Sequence, residues 1–533
     1  MATPADSSTT IRNPVLKGFN PDPSILRVGD DYYLATSTFE WFPGVQIHHS
    51  RDLANWRLLT RPLDRRSQLD LVGNPDSGGI WAPCLSHADG LFHLIYTDVK
   101  YWKRDPYKIA YNYVVTAQDI TGPWSEPVLL NGSGFDPSLF HDDDGRKWFV
   151  NMVWDHRQQN NRFAGILLQE FCPQTRKLVG PVRNIFQGTA RGLVEGPHLY
   201  KRNGYYYLLT AEGGTEYPHA ATLARSRRLE GPYEVHPRQH LLSSWGHPEA
   251  PLQKAGHGSL VETQHGEWYL AHLCGRPIDG KHCTLGRETA IQKCVWREDG
   301  WLYLAQGGLV PAVEAEGPAG IAPAPFRQQE WNGRFDSPLL DLHFQSLRQP
   351  ITEDWLSLTE RPGFLRLKGR EPTVSPFRQS LVARRVQAFD VSVETAVEFQ
   401  PTTFQQMAGL IAYYDTENHY YLRLSHDGTL GRTLNIIATD AASSREVLAD
   451  DVAVPATGAV GMRLTLKGAA LRFEYAPPGG DWQAIGPTLN GAILSDDYSH
   501  LGFTGAFVGL CCQDISGQGL PADFPCFCYR EEA

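Results

Sequence analysis

The sequence contains no run of about 18 consecutive apolar residues, so no membrane-spanning helix is expected. It lacks an excess of positive charge. Lys and Arg number 49 against 59 Asp and Glu, a net charge of −10, which argues against a nucleic-acid partner. Residues 1–10 are polar and have no basic start leading into an apolar run, so no secretory leader is expected and the cytoplasm is the expected location. Cysteine is present nine times but in no zinc-type spacing. Cys511 and Cys512 are adjacent, and Cys526 and Cys528 are two apart; neither suits a disulfide framework, and reduced thiols are expected. A long helical stripe of apolar residues is also missing.

What the sequence does have is one short pattern written five times. The copies centre on Pro23, Pro83, Pro137, Pro197 and Gly258, at steps of 60, 54, 60 and 61 residues. Each joins a short apolar strand, a turn such as Asp89-Gly90 or Asn203-Gly204, and an aromatic-rich strand such as Tyr205-Tyr206-Tyr207-Leu208. Glycine supplies the positive φ of a tight turn, so each copy reads as a β-hairpin. A fixed long period of hairpins is the mark of a repeat architecture, and five radial sheets make a five-bladed β-propeller. A second repeat supports this. The pieces around His49 to Trp56, Thr116 to Trp124 and Ala224 to Tyr233 share a strand, a turn and an aromatic anchor, expected at the outer part of a blade.

At 533 residues the chain exceeds one ordinary core and suggests two domains. The propeller is expected over 1–310, with residues 1–12 as a loosely docked tail. In residues 311–325, 11 of 15 are Pro, Ala or Gly, which reads as a linker stiffened by four prolines. From 326 to 533 short alternating strands follow one another, as at Phe389 to Phe399 and Met462 to Leu466, which predicts a β-sandwich of jelly-roll, concanavalin-like type.

The inner strand of each blade lines the central cavity, and three copies carry a carboxylate there: Asp22, Asp136 and Glu195. Asp22 sits between Pro21 and Pro23, which restrict its backbone and remove two N–H donors. Taken singly, Asp22 and Asp136 read as turn residues; their shared repeat position aims both at the cavity. Burial and neighbouring carboxylates raise a carboxyl pKa, which is what a general acid at Glu195 would need. His257 points inward by the same logic, and Arg287 suits a carboxylate or sugar hydroxyls. The 14 Trp, 22 Tyr and 23 Phe serve the core and can also stack on sugar rings. Carboxylates gathered from distant sequence positions meet the needs of glycosidic hydrolysis.

Gly18-Phe19-Asn20-Pro21-Asp22-Pro23-Ser24, Ala35 to Gly44, Gly134 to Ser138 and Glu195-Gly196-Pro197-His198 resemble glycoside hydrolase family 43, in its β-xylosidase branch. The resemblance spans nearly the whole chain. It implies an inverting exo-glycosidase that releases xylose from the non-reducing end of xylo-oligosaccharides, with α-L-arabinofuranosidase activity beside it. It assigns Asp22 as general base, Glu195 as general acid and Asp136 as the carboxylate that tunes and orients the acid. Arg287 and His257 match its pocket arginine and central histidine, and Phe39, Trp41 and Trp81 its terminal-sugar wall. Gly502 to Gly509 resembles the sandwich loop that closes the pocket, with Phe507 as the contacting residue. No cofactor is required. The resemblance admits a structural divalent ion, calcium, in the propeller channel near His257, although no ligand spacing demands a metal, and it implies a homo-oligomer, dimer or tetramer.

Three other readings are open. The arabinofuranosidase activity is the main one; or the protein is a retaining fructan- or sucrose-cleaving propeller, a clan echoed by Arg104-Asp105-Pro106 but not by Asn20-Pro21-Asp22-Pro23-Ser24; or it is a non-catalytic sugar-binding propeller. Three inward carboxylates count against the last, since burying unpaired charge costs several kcal/mol.

Overall fold

The computed structural model describes residues 9–103, 105–326 and 333–532. Met1 to Ser8, most of the expected tail, Arg104, residues 327–332 near the start of the second domain and Ala533 lie outside the described residues.

Between Ser24 and Leu304 the chain forms five four-stranded antiparallel sheets, each in sequential strand order. Their first strands are Ser24–Val28, Gly79–Ala88, Ser138–His141, Glu195–Arg202 and Gln253–Glu262. All five expected hairpins are present. Asp89-Gly90 and Asn203-Gly204 each place two successive residues at positive φ, and they close hairpins in which Ala88 faces Leu91 and Arg202 faces Tyr205. That is the turn whose twist matches the flanking strands.

Each first strand lies against the first strand of the next sheet, and the fifth lies against the first, so the sheets close into a propeller-type ring. One small polar position fastens this ring. The Leu85 N–H donates to Ser24 Oγ at 3.0 Å, Ser138 Oγ donates to the Pro197 carbonyl at 2.6 Å, and Ser259 Oγ donates to the Pro23 carbonyl at 2.8 Å. Each of these serines directly follows the proline or glycine on which the repeats align.

The segment read as a linker differs from that expectation. Glu314–Glu316 is a strand paired antiparallel with Thr10–Arg12, bringing Ile11 opposite Ala315. Asn13 reinforces the pair. Its side-chain amide donates to the carbonyls of Ile291 (2.8 Å) and Ala312 (3.0 Å), and its side-chain oxygen accepts from the Ile291 N–H. Three residues are too few to show an alternating pattern, so composition alone pointed to a linker.

The C-terminal domain is built of nine-, five- and three-stranded antiparallel sheets. Strand Asp390–Val397 alternates buried and half-buried residues, and Val391, Val393 and Val397 enter one core with Leu410, Leu464 and Phe473. The seam between the domains is continuous. The propeller strand Trp41–Phe42 pairs with Gln345–Leu347 and so joins the nine-stranded sheet. Gly286, at φ +70°, is a required glycine here, because a Cβ would stand 2.3 Å from the Thr504 carbonyl oxygen.

Candidate active site

Aligning the five copies places Asp22, Ala82, Asp136, Gly196 and His257 at one position. All five are left-handed, with φ of 54°, 30°, 55°, 58° and 36°. The next residue is proline in four copies, and a following proline disfavours the ordinary right-handed helical region. Left-handed backbone costs about 1–2 kcal/mol per non-glycine residue, so the ring holds several strained positions at its entrance to the inner strands. In the fourth copy glycine takes this place and the preceding residue, Glu195, carries the carboxyl.

The three carboxyls come together and are buried, with exposures of 5% for Asp22, 6% for Asp136 and 7% for Glu195. Their surroundings differ. Asp22 accepts Ser37 Oγ on Oδ2 at 2.7 Å and Arg287 Nη1 on Oδ1 at 2.8 Å. His257 Nδ1 stands 3.8 Å from the same Oδ1. Ser37 Oγ in turn accepts the Ala82 N–H at 2.8 Å, tying Asp22 to the second sheet. Asp136 accepts the Gly196 N–H at 3.1 Å. The Glu195 carboxyl accepts no hydrogen bond from the described residues.

These environments separate the groups electrically. Burial, then repulsion from Asp22, pushes Glu195 up to about 8, against the pull of Arg287 and Lys108. Burial and the charges of Glu195 and Asp22 push Asp136 well above the usual carboxylate range. Three carboxyls facing one buried guanidinium therefore hold a proton among them at neutral pH. Burial lowers His257, with Asp22 opposing. His257 is thus a neutral neighbour rather than a second cation.

The wall is aromatic. Phe503 packs against Phe39 (5.9 Å between centroids), Trp81 (5.4 Å) and Trp102 (4.9 Å). The Arg287 guanidinium lies 5.5 Å from the rings of both Phe39 and Phe503, and its Nη2 donates to the Phe503 carbonyl at 3.2 Å. Phe39 and Trp81, expected in the sugar wall, pack together beside Phe503 and the arginine, with 6.1 Å between their centroids. Phe503, rather than the expected Phe507, is the sandwich residue that touches the arginine clamp. Phe507 is fully buried and stacks on Trp41 at 3.7 Å and 13°. Trp41, expected in the sugar wall, is likewise fully enclosed; it serves the domain seam, with Tyr413 at its edge.

Lys108 was not foreseen. Its ammonium lies 4.5 Å from the Trp154 ring and 5.4 Å from both Trp81 and Trp102. Burial lowers it to about 8, with Glu195 opposing. No local motif marks it. Phe503 had a signal, since it lies in the same glycine-rich stretch as Phe507, but two phenylalanines four apart cannot be told apart by pattern. As for a channel calcium ion, that metal takes six to eight oxygen ligands. Among the described residues no three His, Cys, Asp or Glu side chains are grouped to hold a metal ion.

A cation-clamped carboxylate facing a buried carboxyl of raised pKa, inside an aromatic-walled pocket, is the chemistry of a glycoside hydrolase. Comparison with known proteins narrows this. The profile of Glycosyl hydrolases family 43 matches residues 11–302, and that of the Beta xylosidase C-terminal Concanavalin A-like domain matches 332–530. Xylosidase/arabinosidase 43B of Humicola insolens is 54% identical over 98% of this chain and 97% of its own. Beta-xylosidase of Bacillus subtilis (strain 168) is 51% identical over 98% of this chain and all of its own. The crystal structure of xylan beta-1,4-xylosidase from Bacillus halodurans C-125 superposes with a TM-score of 0.96 at 57% identity, covering 98% of this chain and all of that one. The chain belongs to glycosyl hydrolase family 43. All nine of its cysteines are free thiols.

Proposed function

We propose that the protein is an inverting exo-β-xylosidase that releases xylose from the non-reducing end of β-1,4-xylo-oligosaccharides, on a five-bladed propeller whose blades are the five sheets. The observation that carries this reading is the contrast between Asp22 and Glu195. Asp22 is clamped by Arg287 at 2.8 Å and accepts a hydrogen bond from Ser37 at 2.7 Å. Glu195 is buried and held up to about 8, so it keeps its proton at neutral pH. Asp22 acts as general base on a water at the anomeric carbon. Glu195 acts as general acid on the leaving oxygen. Asp136, bonded to the Gly196 N–H, orients the acid's backbone and adds to the repulsion that keeps a proton in the trio.

The relatives named above support xylosides as substrates, and the Humicola protein's name supports a second activity on arabinosides at the same site. Free thiols suit a reducing compartment, in keeping with action on short sugars in the cytoplasm. The test is to incubate the protein with xylobiose and follow the first anomer by NMR. Early α-xylose is expected. Early β-xylose would make one carboxylate a nucleophile and overturn the assignment; absence of cleavage would overturn the substrate.

A further inference from the structure

Behind the aromatic wall, outside the carboxylate site, residues Asn74 to Ser77 form a buried turn on which three pocket rings hang. The Asp76 carbonyl accepts the Trp102 indole N–H at 3.1 Å. The Ser77 carbonyl accepts the Trp81 indole N–H at 2.9 Å. Ser77 Oγ accepts the Phe503 backbone N–H at 3.0 Å. The turn is itself held from the other domain. Arg348, 1% exposed, follows the sandwich strand Gln345–Leu347. Its Nη2 pairs with Asp76 Oδ1 at 2.7 Å, its Nε donates to the Asn74 carbonyl at 2.8 Å, and its backbone N–H donates to the Glu40 carbonyl at 2.9 Å. Thr416 Oγ1, also from the sandwich, donates to the second Asp76 oxygen.

We propose that Arg348 is a positioning residue for the sugar pocket: through Asp76 and Asn74 it fixes the turn that sets Trp81, Trp102 and Phe503. This rests on the xylosidase reading for its choice of substrate. A buried ion pair is by itself a weak stabiliser, since desolvation offsets much of its attraction. Arg348 is instead placed where its fork fixes direction, with two donors on two points of one turn, a geometry an ammonium cannot copy. Because Arg348 makes no contact with the carboxyl trio, its loss disturbs how sugar is held more than how the bond breaks.

The experiment compares R348Q, R348K and T416V with the native chain on xylobiose, and titrates xylose by tryptophan fluorescence. In R348Q, KM is expected to rise about tenfold while kcat falls less than about threefold, the pattern of lost uniform binding. The xylose Kd should weaken by a similar factor, with an altered emission spectrum from Trp81 and Trp102. R348K, keeping the charge but not the fork, is expected to fall between. T416V removes one hydrogen bond to Asp76, and a KM rise of about two- to threefold is expected; it carries the test alone if the arginine variants do not fold. Unchanged KM and xylose Kd in folded variants would overturn the proposal, whatever the melting temperature. A native protein inert on xylobiose would overturn the activity reading instead, and the fluorescence comparison would still judge Arg348.

Discussion

Arg287 and Asp22 form an ion pair at 2.8 Å in which both side chains are almost wholly enclosed, at 2% and 6% side-chain exposure. The same guanidinium reaches the Phe503 carbonyl, so one residue joins the base to the sandwich loop. Removing one partner of a buried pair strands the other, typically at 3–5 kcal/mol. For R287M the expected result is a fall in kcat/KM of about 10²-fold or more, because Asp22 is left buried without its partner. Steady-state kinetics on xylobiose would show it; an unchanged kcat/KM in a folded variant would count against the Arg287–Asp22 pair as part of the site.

Lys108 pulls Glu195 downward. Replacing it with methionine removes a positive charge, so Glu195 holds its proton to higher pH. The alkaline limb of kcat/KM is expected to move up by about half a unit in K108M. A downward shift would mean that another group controls that limb.

Glu195 also makes stability depend on pH. Its folded value is about 8 against an ordinary 4.5, so between those values the folded state holds a proton that the unfolded state has released. Stability therefore falls as pH rises through that window. E195Q abolishes the term. At pH 8 the variant should be more stable than the native protein by at least about 1 kcal/mol, and the advantage should disappear below pH 4.5. Urea denaturation at the two pH values is the measurement, and the gain should accompany loss of activity.

The left-handed backbone at Asp22 gives a separate test. D22A and D22G both lack the carboxylate and should both lose about 10²–10⁴-fold in kcat. Alanine at φ +54° is strained and glycine is not. D22G is expected to be the more stable of the two by about 0.5–1 kcal/mol. Equal stabilities would mean that the turn relaxes once the carboxylate is gone.

How much of this was legible in the sequence depended on how local each signal was. The hairpins were readable because Asp89-Gly90 and Asn203-Gly204 declare a turn within a few residues. Asp22 and Asp136 were readable because their prolines recur at a fixed period, which converts sequence position into a place on the ring. Strand Glu314–Glu316 was hidden because its partner lies some 300 residues away at Thr10–Arg12. Lys108 and Arg348 were invisible for the same reason. Their roles come from rings and carbonyls gathered by the fold, and nothing beside them in sequence says so. The Phe507 expectation missed by four residues because pattern gives the loop and only packing gives the contact.

The shared left-handed position has a consequence for how such a site can be altered. Each repeat delivers its residue at that place to the same entrance, so five repeats amount to five addresses filled independently. Two hold acids, one holds a histidine, one is glycine beside the third acid, and one is occupied by Ala82, whose N–H already donates to the serine that supports Asp22. Gly196 aside, residue 82 is therefore the one address in this ring that carries no functional side chain of its own.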